Sequence, residues 1–200
     1  MEGQYRIEIS GISSIIMHNG AAGLDTRSPA KLEIAEISRK RGSNRTVADD
    51  NRLAELECTV SFWLKGEAPA IPEGAIRAMI EESARKLKQG PQVRGGLMVI
   101  DSTFHYDTER YGTTLEELSK SCQFTVPVKV GQARILRTRA KFDQPWSCVF
   151  TVDTDPDLVD EIQLSQWLDI GGRRIGLGDW RPSKSGHYGR FQTAAITPLE

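Results

Sequence analysis

Residues 75–90 read AIRAMIEESARKLKQG, and the fold turns on them. Ile76, Met79, Ile80, Ala84 and Leu87 recur at intervals of three and four, which gathers them on one face of a helix. Charged residues fill the other face, and Gly90 followed by Pro91 predicts the helix end. A helix with one apolar face needs a surface to bury it against. Upstream, YRIEI at 5–9 alternates as a half-buried strand does; downstream, VRGGLMVIDSTFHY at 93–106 reads as a second strand.

KLEIAEISRKR reads as a short helix. DDNRLAELECTVSFWL at 49–64 reads as a longer one, with Asp49 or Asp50 as its cap. TTLEELSKS at 113–121 predicts a short capped helix, and FTVPVKV at 124–130 an extended segment that Pro127 places near a sheet edge. ARILRTRAKF at 133–142 and WSCVFTVD at 146–153 are extended, and the intervening DQP predicts a hairpin. PDLVDEIQLSQWLDIGG predicts a helix opening at Pro156 and closing at Gly171, after which RFQTAAI at 190–196 completes the sheet. The main elements follow a β-α-β-β-α-β order. The expectation is an α+β, ferredoxin-like domain: an antiparallel sheet with helices on one face. Residues 1–200 are read as a single such domain with a helical insertion at 20–66.

Composition narrows the class. With 38% hydrophobic and 26% charged residues, the chain can bury a core and stay in solution. No run approaches the roughly 20 apolar residues of a membrane span. MEGQYRIEIS lacks a basic segment followed by an apolar one, so no secretion signal is expected. The three cysteines, Cys58, Cys122 and Cys148, are odd in number and scattered, which points to reduced thiols and a cytoplasmic location. There is no phosphate-binding GxxxxGK[ST] loop, no nucleophile elbow and no cysteine–histidine spacing for zinc. Asp153, Asp155 and Asp157 lack the glycine and distal glutamate of a calcium loop, and read as caps for the helix that follows. No cofactor, metal or catalytic residue is therefore assigned.

The net charge of −1 hides a segregation. Five cations and no acid lie between Lys129 and Lys141, while DTDPDLVDE at 153–161 has five acids and no cation. On a strand, Arg137, Arg139 and Lys141 share a face, making a rail that can track phosphates. The stretch IGLGDWRPSKSGHYGRF at 175–191 combines glycines, rings and cations. Its glycines permit close backbone approach, Trp180 and Tyr188 offer stacking faces, and Arg181, Lys184 and Arg190 add charge. A plainer alternative makes GDWRP a packed turn, with Trp180 over the core and Arg181 paired to Asp179 or a remote acid. Phe191 reads as core. His18, after the first strand, reads as a polar contact at a groove, with general-base chemistry as the alternative.

Four segments, IEISGISSIIMHN, AIPEGAIRAMIEESARKLKQG, VPVKVGQARILRTRAKF and IGLGDWRPSKSGHYGRF, resemble a family of phage and prophage proteins of similar length. More weakly, IPEGAIRAMIEESAR with the late glycine-rich segment ending in GRF is similar to the repeat-associated (RAMP) superfamily, which includes the backbone subunits of CRISPR effector complexes. That resemblance implies a ferredoxin-like fold, binding of single-stranded RNA along its phosphates, and side-by-side polymerisation. The sequence departs from the superfamily at Glu73, between Pro72 and Gly74, and at the tryptophan and proline of its late loop.

The expected function is sequence-tolerant binding of single-stranded DNA or RNA by a non-enzymatic protein that self-assembles along the strand or joins a larger complex. Two other classes compete. One is a phage structural or anti-defence interaction protein, for which the Trp/Arg/Tyr loop would be a protein-binding hot spot. The other is a metal-independent ribonuclease using His18. A third possibility, a sponge for cyclic nucleotide signals, would set the same arginines and rings on a compact ligand.

Overall fold

In the computed structural model, residues 3–199 are described. The strands are β1 Gly3–Gly11, β2 Ile15–Ile16, β3 Leu64–Lys65, β4 Ala68–Pro69, β5 Leu97–Tyr106, β6 Gln123–Val130, β7 Ala133–Phe142, β8 Trp146–Thr154 and β9 Phe191–Pro198. The helices are α1 Gly20–Leu24, α2 Pro29–Arg39, α3 Val47–Ser61, α4 Glu73–Arg85, α5 Gly90–Gly96, α6 Thr108–Tyr111, α7 Leu115–Ser121 and α8 Glu161–Ile170. The protein is α+β with antiparallel sheets, as expected, and divides into two compact units. The first holds 3–16, 70–106 and 142–199, and the second 17–69 and 107–141. The insertion expected at 20–66 thus lies in the second unit, alongside 107–141.

The first unit is built on a four-stranded sheet in the order β5-β8-β1-β9, every neighbour antiparallel. Strict alternation explains its two faces. Along β8, Trp146, Cys148, Phe150 and Val152 are buried and the residues between them are half-exposed. Ile7 and Ile9 of β1 point the same way and are fully buried. Of the apolar stripe foreseen in 75–90, Ile76, Met79, Ile80 and Ala84 are buried, while Leu87 lies beyond the helix end and is exposed; α4 packs against β5, α5 and α8. Trp167 of α8 is fully buried, and its indole N–H donates to Gln89 Oε1 at 2.8 Å.

Several sequence expectations give way to the structure. Gly90 and Pro91 do not merely end a helix. The first helix stops at Arg85, and Pro91 stands in the first turn of a new one, α5, so the following strand begins at Leu97 rather than 93. Proline suits a helix start because its missing N–H would have no partner there. Likewise, α8 opens at Glu161, not at Pro156. Asp160 accepts from Gln163 N at 2.7 Å and Gln163 Oε1 from Asp160 N at 3.1 Å, a reciprocal cap that outcompetes the upstream acids. Finally, β7 and β8 do not form a hairpin. The turn at Gly131 and Gln132 pairs β7 with β6 in an unbroken register from Val130↔Ala133 to Gln123↔Ala140, and β8 pairs with β1 and β5 instead.

The second unit joins the β6–β7 hairpin to α1, α2, α3, α6 and α7. Its longest helix, α3, packs against α1, α2, α7 and β6. The cap of α3 is Thr46, one turn before the acids expected in that role. Asp49 closes the capping box by accepting from Thr46 N at 2.9 Å.

All three cysteines are buried. Burial pushes the Cys148 thiol up to about 12, and burial, then Cys122, raises that of Cys58. Thiols held protonated and out of reach of solvent are poor nucleophiles. Iodoacetamide is therefore expected to leave the native protein unlabelled and to modify all three residues after denaturation. Mass spectrometry reads both states, and rapid native labelling at Cys148 would contradict the packing described.

Candidate functional site

Strand β7 is fastened from α3 through Arg137 and two backbone N–H groups. The carboxylate of Glu57, itself buried, accepts from Arg137 Nη1 at 2.6 Å and from Thr138 N at 2.8 Å. One helical turn on, Ser61 Oγ accepts from Ala140 N at 2.8 Å. The match is metric: four helical residues advance about 6 Å and two strand residues about 6.6 Å. Side chains of α3 thus serve two backbone donors of β7. A third tie comes from Met17, whose N–H donates to Ala140 O at 2.9 Å.

The next residues carry His18 into place. Asn19 N–H donates to Ser61 O at 3.0 Å, its Nδ2 to Phe62 O at 3.1 Å, and its Oδ1 accepts from Ala22 N at 3.0 Å. His18 is therefore held between two pinned neighbours. Its ring makes no hydrogen bond among the described residues and stands near Arg139. Partial desolvation, then the Arg139 charge, lowers its pKa below the usual 6.5. Arg139 is half-buried; desolvation and its like-charged neighbour Arg137 lower its own pKa, and Glu57 opposes this. Lys141 completes the row, its Nζ 4.9 Å from the centre of the Phe124 ring.

His18, Asn19, Glu57, Ser61, Arg137, Thr138 and Arg139 line a pocket of about 230 Å³, which Lys141 does not enter. The polar wall comprises His18, Lys31, Glu57, Arg137 and Arg139, and Ile34, Val60 and Val128 form an apolar wall. Three cations against one carboxylate leave two positive charges when His18 is neutral. Lys31 makes no ion pair among the described residues.

The second group of expected site residues belongs to the first unit. Between Gly176 and Arg190 the backbone doubles back: Leu177 N–H donates to Gly189 O at 2.9 Å and Tyr188 N–H to Trp180 O at 3.2 Å. That brings Trp180 and Tyr188 into a stack, ring centres 6.3 Å apart and planes 14° from parallel, with His187 against Tyr188. Trp180 is 38% exposed rather than folded over the core. It also adopts a left-handed φ of 49°, which is costly for a bulky residue and is imposed by the surrounding loop. Arg181 turns inward. Its guanidinium donates to Gly178 O at 3.2 Å and Ser183 Oγ at 3.1 Å and lies 3.6 Å from Glu82, the remote acid of the plainer reading. Lys184 and Arg190 are exposed, Tyr188 is half-buried, and Phe191 is core.

The nine expected site residues therefore form two groups. His18, Arg137, Arg139 and Lys141 belong to the second unit, and Trp180, Arg181, Lys184, Tyr188 and Arg190 to the first. Sequence reasoning misses Glu57, Lys31 and the apolar trio Ile34, Val60 and Val128. No helix of the described residues is long and apolar enough to cross a membrane. Compared with known proteins, the chain matches no family model and no curated protein sequence.

Proposed function

We propose that this chain is a sequence-tolerant binder of single-stranded nucleic acid that acts without catalysing a reaction and assembles along the strand it holds. The observation that carries the proposal is the cationic face of β7. Arg137, Arg139 and Lys141 alternate along one strand, with His18 and Lys31 beside them and one carboxylate among them. Cations spaced along an extended backbone suit a flexible polyanion, whose binding releases condensed counterions. The exposed Trp180 and its partner Tyr188 supply a stacking surface, and base–aromatic stacking contributes roughly 1–3 kcal/mol per base without sequence preference.

The same reading takes the first unit as ferredoxin-like. In its support, α4 lies between β1 and β5 in the chain, α8 between β8 and β9, and the sheet order is β5-β8-β1-β9. The resemblance to phage proteins and to the RAMP superfamily agrees with a host-cytoplasmic, RNA- or DNA-associated role.

The test is fluorescence anisotropy with labelled single-stranded DNA, single-stranded RNA and duplex DNA. Single strands are expected to bind, and to bind more tightly than the duplex. Failure to bind any of them at low salt would overturn the proposal and turn attention to the Trp180 loop as a protein-binding surface.

His18 adds a pH signature. With its pKa depressed in the free protein, the ring is neutral at neutral pH, and a bound phosphate favours the imidazolium. Phosphodiesters do not titrate near neutrality, so affinity is expected to rise several-fold between about pH 7.5 and about pH 6. In the free protein the sign is opposite: His18's contribution to stability is lost as pH falls from 6.5 through its folded pKa. His18→Ala should flatten the binding profile; an unchanged profile would remove His18 from the site.

A further inference from the structure

The pocket in the second unit takes Arg137 and Arg139 from the cationic face of β7 and encloses them with other walls. Its walls come from α2 (Lys31, Ile34), α3 (Glu57, Val60, Ser61), β6 (Val128), β7 (Arg137, Thr138, Arg139) and the segment at His18 and Asn19. With about 230 Å³ of space it has room for one sugar-phosphate-sized group rather than a length of chain. Asn19 and Ser61 are occupied with the backbone bonds that shape it and Arg137 is held by Glu57, so the charged groups at the pocket are His18, Lys31, Arg139 and the Arg137–Glu57 pair.

Two properties define what fits. The first is charge. The pocket carries two positive charges at neutral pH, and a phosphate monoester carries about −1.5 to −2 there, whereas an internal phosphodiester carries only one negative charge. The second is the opposite wall. Ile34, Val60 and Val128 are half-exposed, branched and aliphatic, directly beside the cations. Inorganic phosphate would leave that wall wet; a ribose and the edge of a base would cover it.

We propose that the His18–Lys31–Arg139 pocket is a seat for a nucleotide bearing a terminal phosphate monoester, with the phosphate on the cations and the nucleoside against Ile34, Val60 and Val128. The inference rests on the anion-binding reading of this unit. The chemistry is shared by a free nucleoside monophosphate and by the phosphorylated end of a strand.

The experiment uses the full chain and two matched comparisons. AMP is titrated against adenosine and against inorganic phosphate by calorimetry. Short oligonucleotides with a terminal phosphate are compared with the same sequences ending in hydroxyls. AMP is expected to bind at least about tenfold more tightly than adenosine, the scale of one or two hydrogen bonds to charged groups, and more tightly than phosphate alone. Lys31→Gln and Arg139→Gln should each erase the phosphate preference. Lys31 is half-exposed on α2, so its variant stays informative if Arg139→Gln fails to fold.

A preference confined to AMP identifies a free nucleotide as the source, and one confined to phosphorylated ends identifies the strand terminus; either supports the seat. If AMP binds while no single strand does, the seat stands and the strand-binding proposal falls. If strands bind with no preference in either comparison, the seat is overturned and the strand reading survives. Equal binding of AMP and inorganic phosphate would overturn the apolar wall's role, and a preference that persists in both variants would place the site elsewhere.

Discussion

Replacing Arg139 and Lys141 together by glutamine is expected to weaken single-strand binding about a hundredfold at low salt, since each charge-assisted hydrogen bond to phosphate contributes roughly 1.5–3 kcal/mol. These two are more diagnostic than Arg137. The Arg137 guanidinium is bonded to the buried Glu57 carboxylate at 2.6 Å, so removing it leaves that charge without its partner and mixes folding with binding. Arg139 and Lys141 lie on the same face of β7, and Lys141 rests on the Phe124 ring, whose packing a glutamine stem partly keeps. Anisotropy titrations of the double variant read the loss, with circular dichroism as the check that β6 and β7 remain paired. A folded variant that bound like the parent would remove the β7 face from the account.

The largest effect on stability is expected at Gly189. Its φ of 66° lies in the left-handed region, and a Cβ there would meet the Leu177 carbonyl oxygen at about 1.7 Å. That carbonyl cannot move aside cheaply, because both residues belong to the doubled loop. Leu177 N–H donates to Gly189 O at 2.9 Å, and Gly189 N–H donates to Ser14 O at 2.7 Å. Gly189→Ala therefore adds roughly 1–2 kcal/mol of conformational strain to an overpacking cost of roughly 1–3 kcal/mol. The sum predicts a drop in Tm of roughly 5–15 °C for a chain of this size. The loop that stacks Trp180 on Tyr188 should loosen with it. Calorimetry reads the first effect and tryptophan fluorescence the second; an unchanged Tm would mean that the loop backbone is not held as described.

How much of the fold and the site is legible in the sequence depends on the range of the interactions involved. The stripe Ile76, Met79, Ile80, Ala84 and the alternation in WSCVFTVD are local patterns, and both are readable because burial follows period 3.6 or period 2 directly. Pro91 misleads because proline serves a helix start as well as it marks a stop, and nothing within the local sequence decides between them. The hairpin expected at 143–145 fails for a similar reason. Both flanking segments are extended, but which strand each pairs with depends on β1 and β6, which do not adjoin that turn in the chain. The cation row at 137–141 is visible from spacing alone. Its anchor is not, since Glu57 lies 80 residues from Arg137 and reads locally as one more helical acid. Arg181 illustrates the reverse: a loop arginine that looks available is turned inward by Gly178, Ser183 and Glu82.

Phosphate tracking by β7 is tested by the salt dependence of single-strand affinity, measured by anisotropy for the parent and the Arg139→Gln/Lys141→Gln variant. If β7 tracks phosphates, log affinity should fall linearly with log salt concentration. The variant's slope should be shallower by roughly 1.4, about 0.7 for each phosphate on a single strand that is no longer neutralised. A parent whose affinity ignores salt, or a variant with the parent's slope, would contradict a phosphate-binding face on β7.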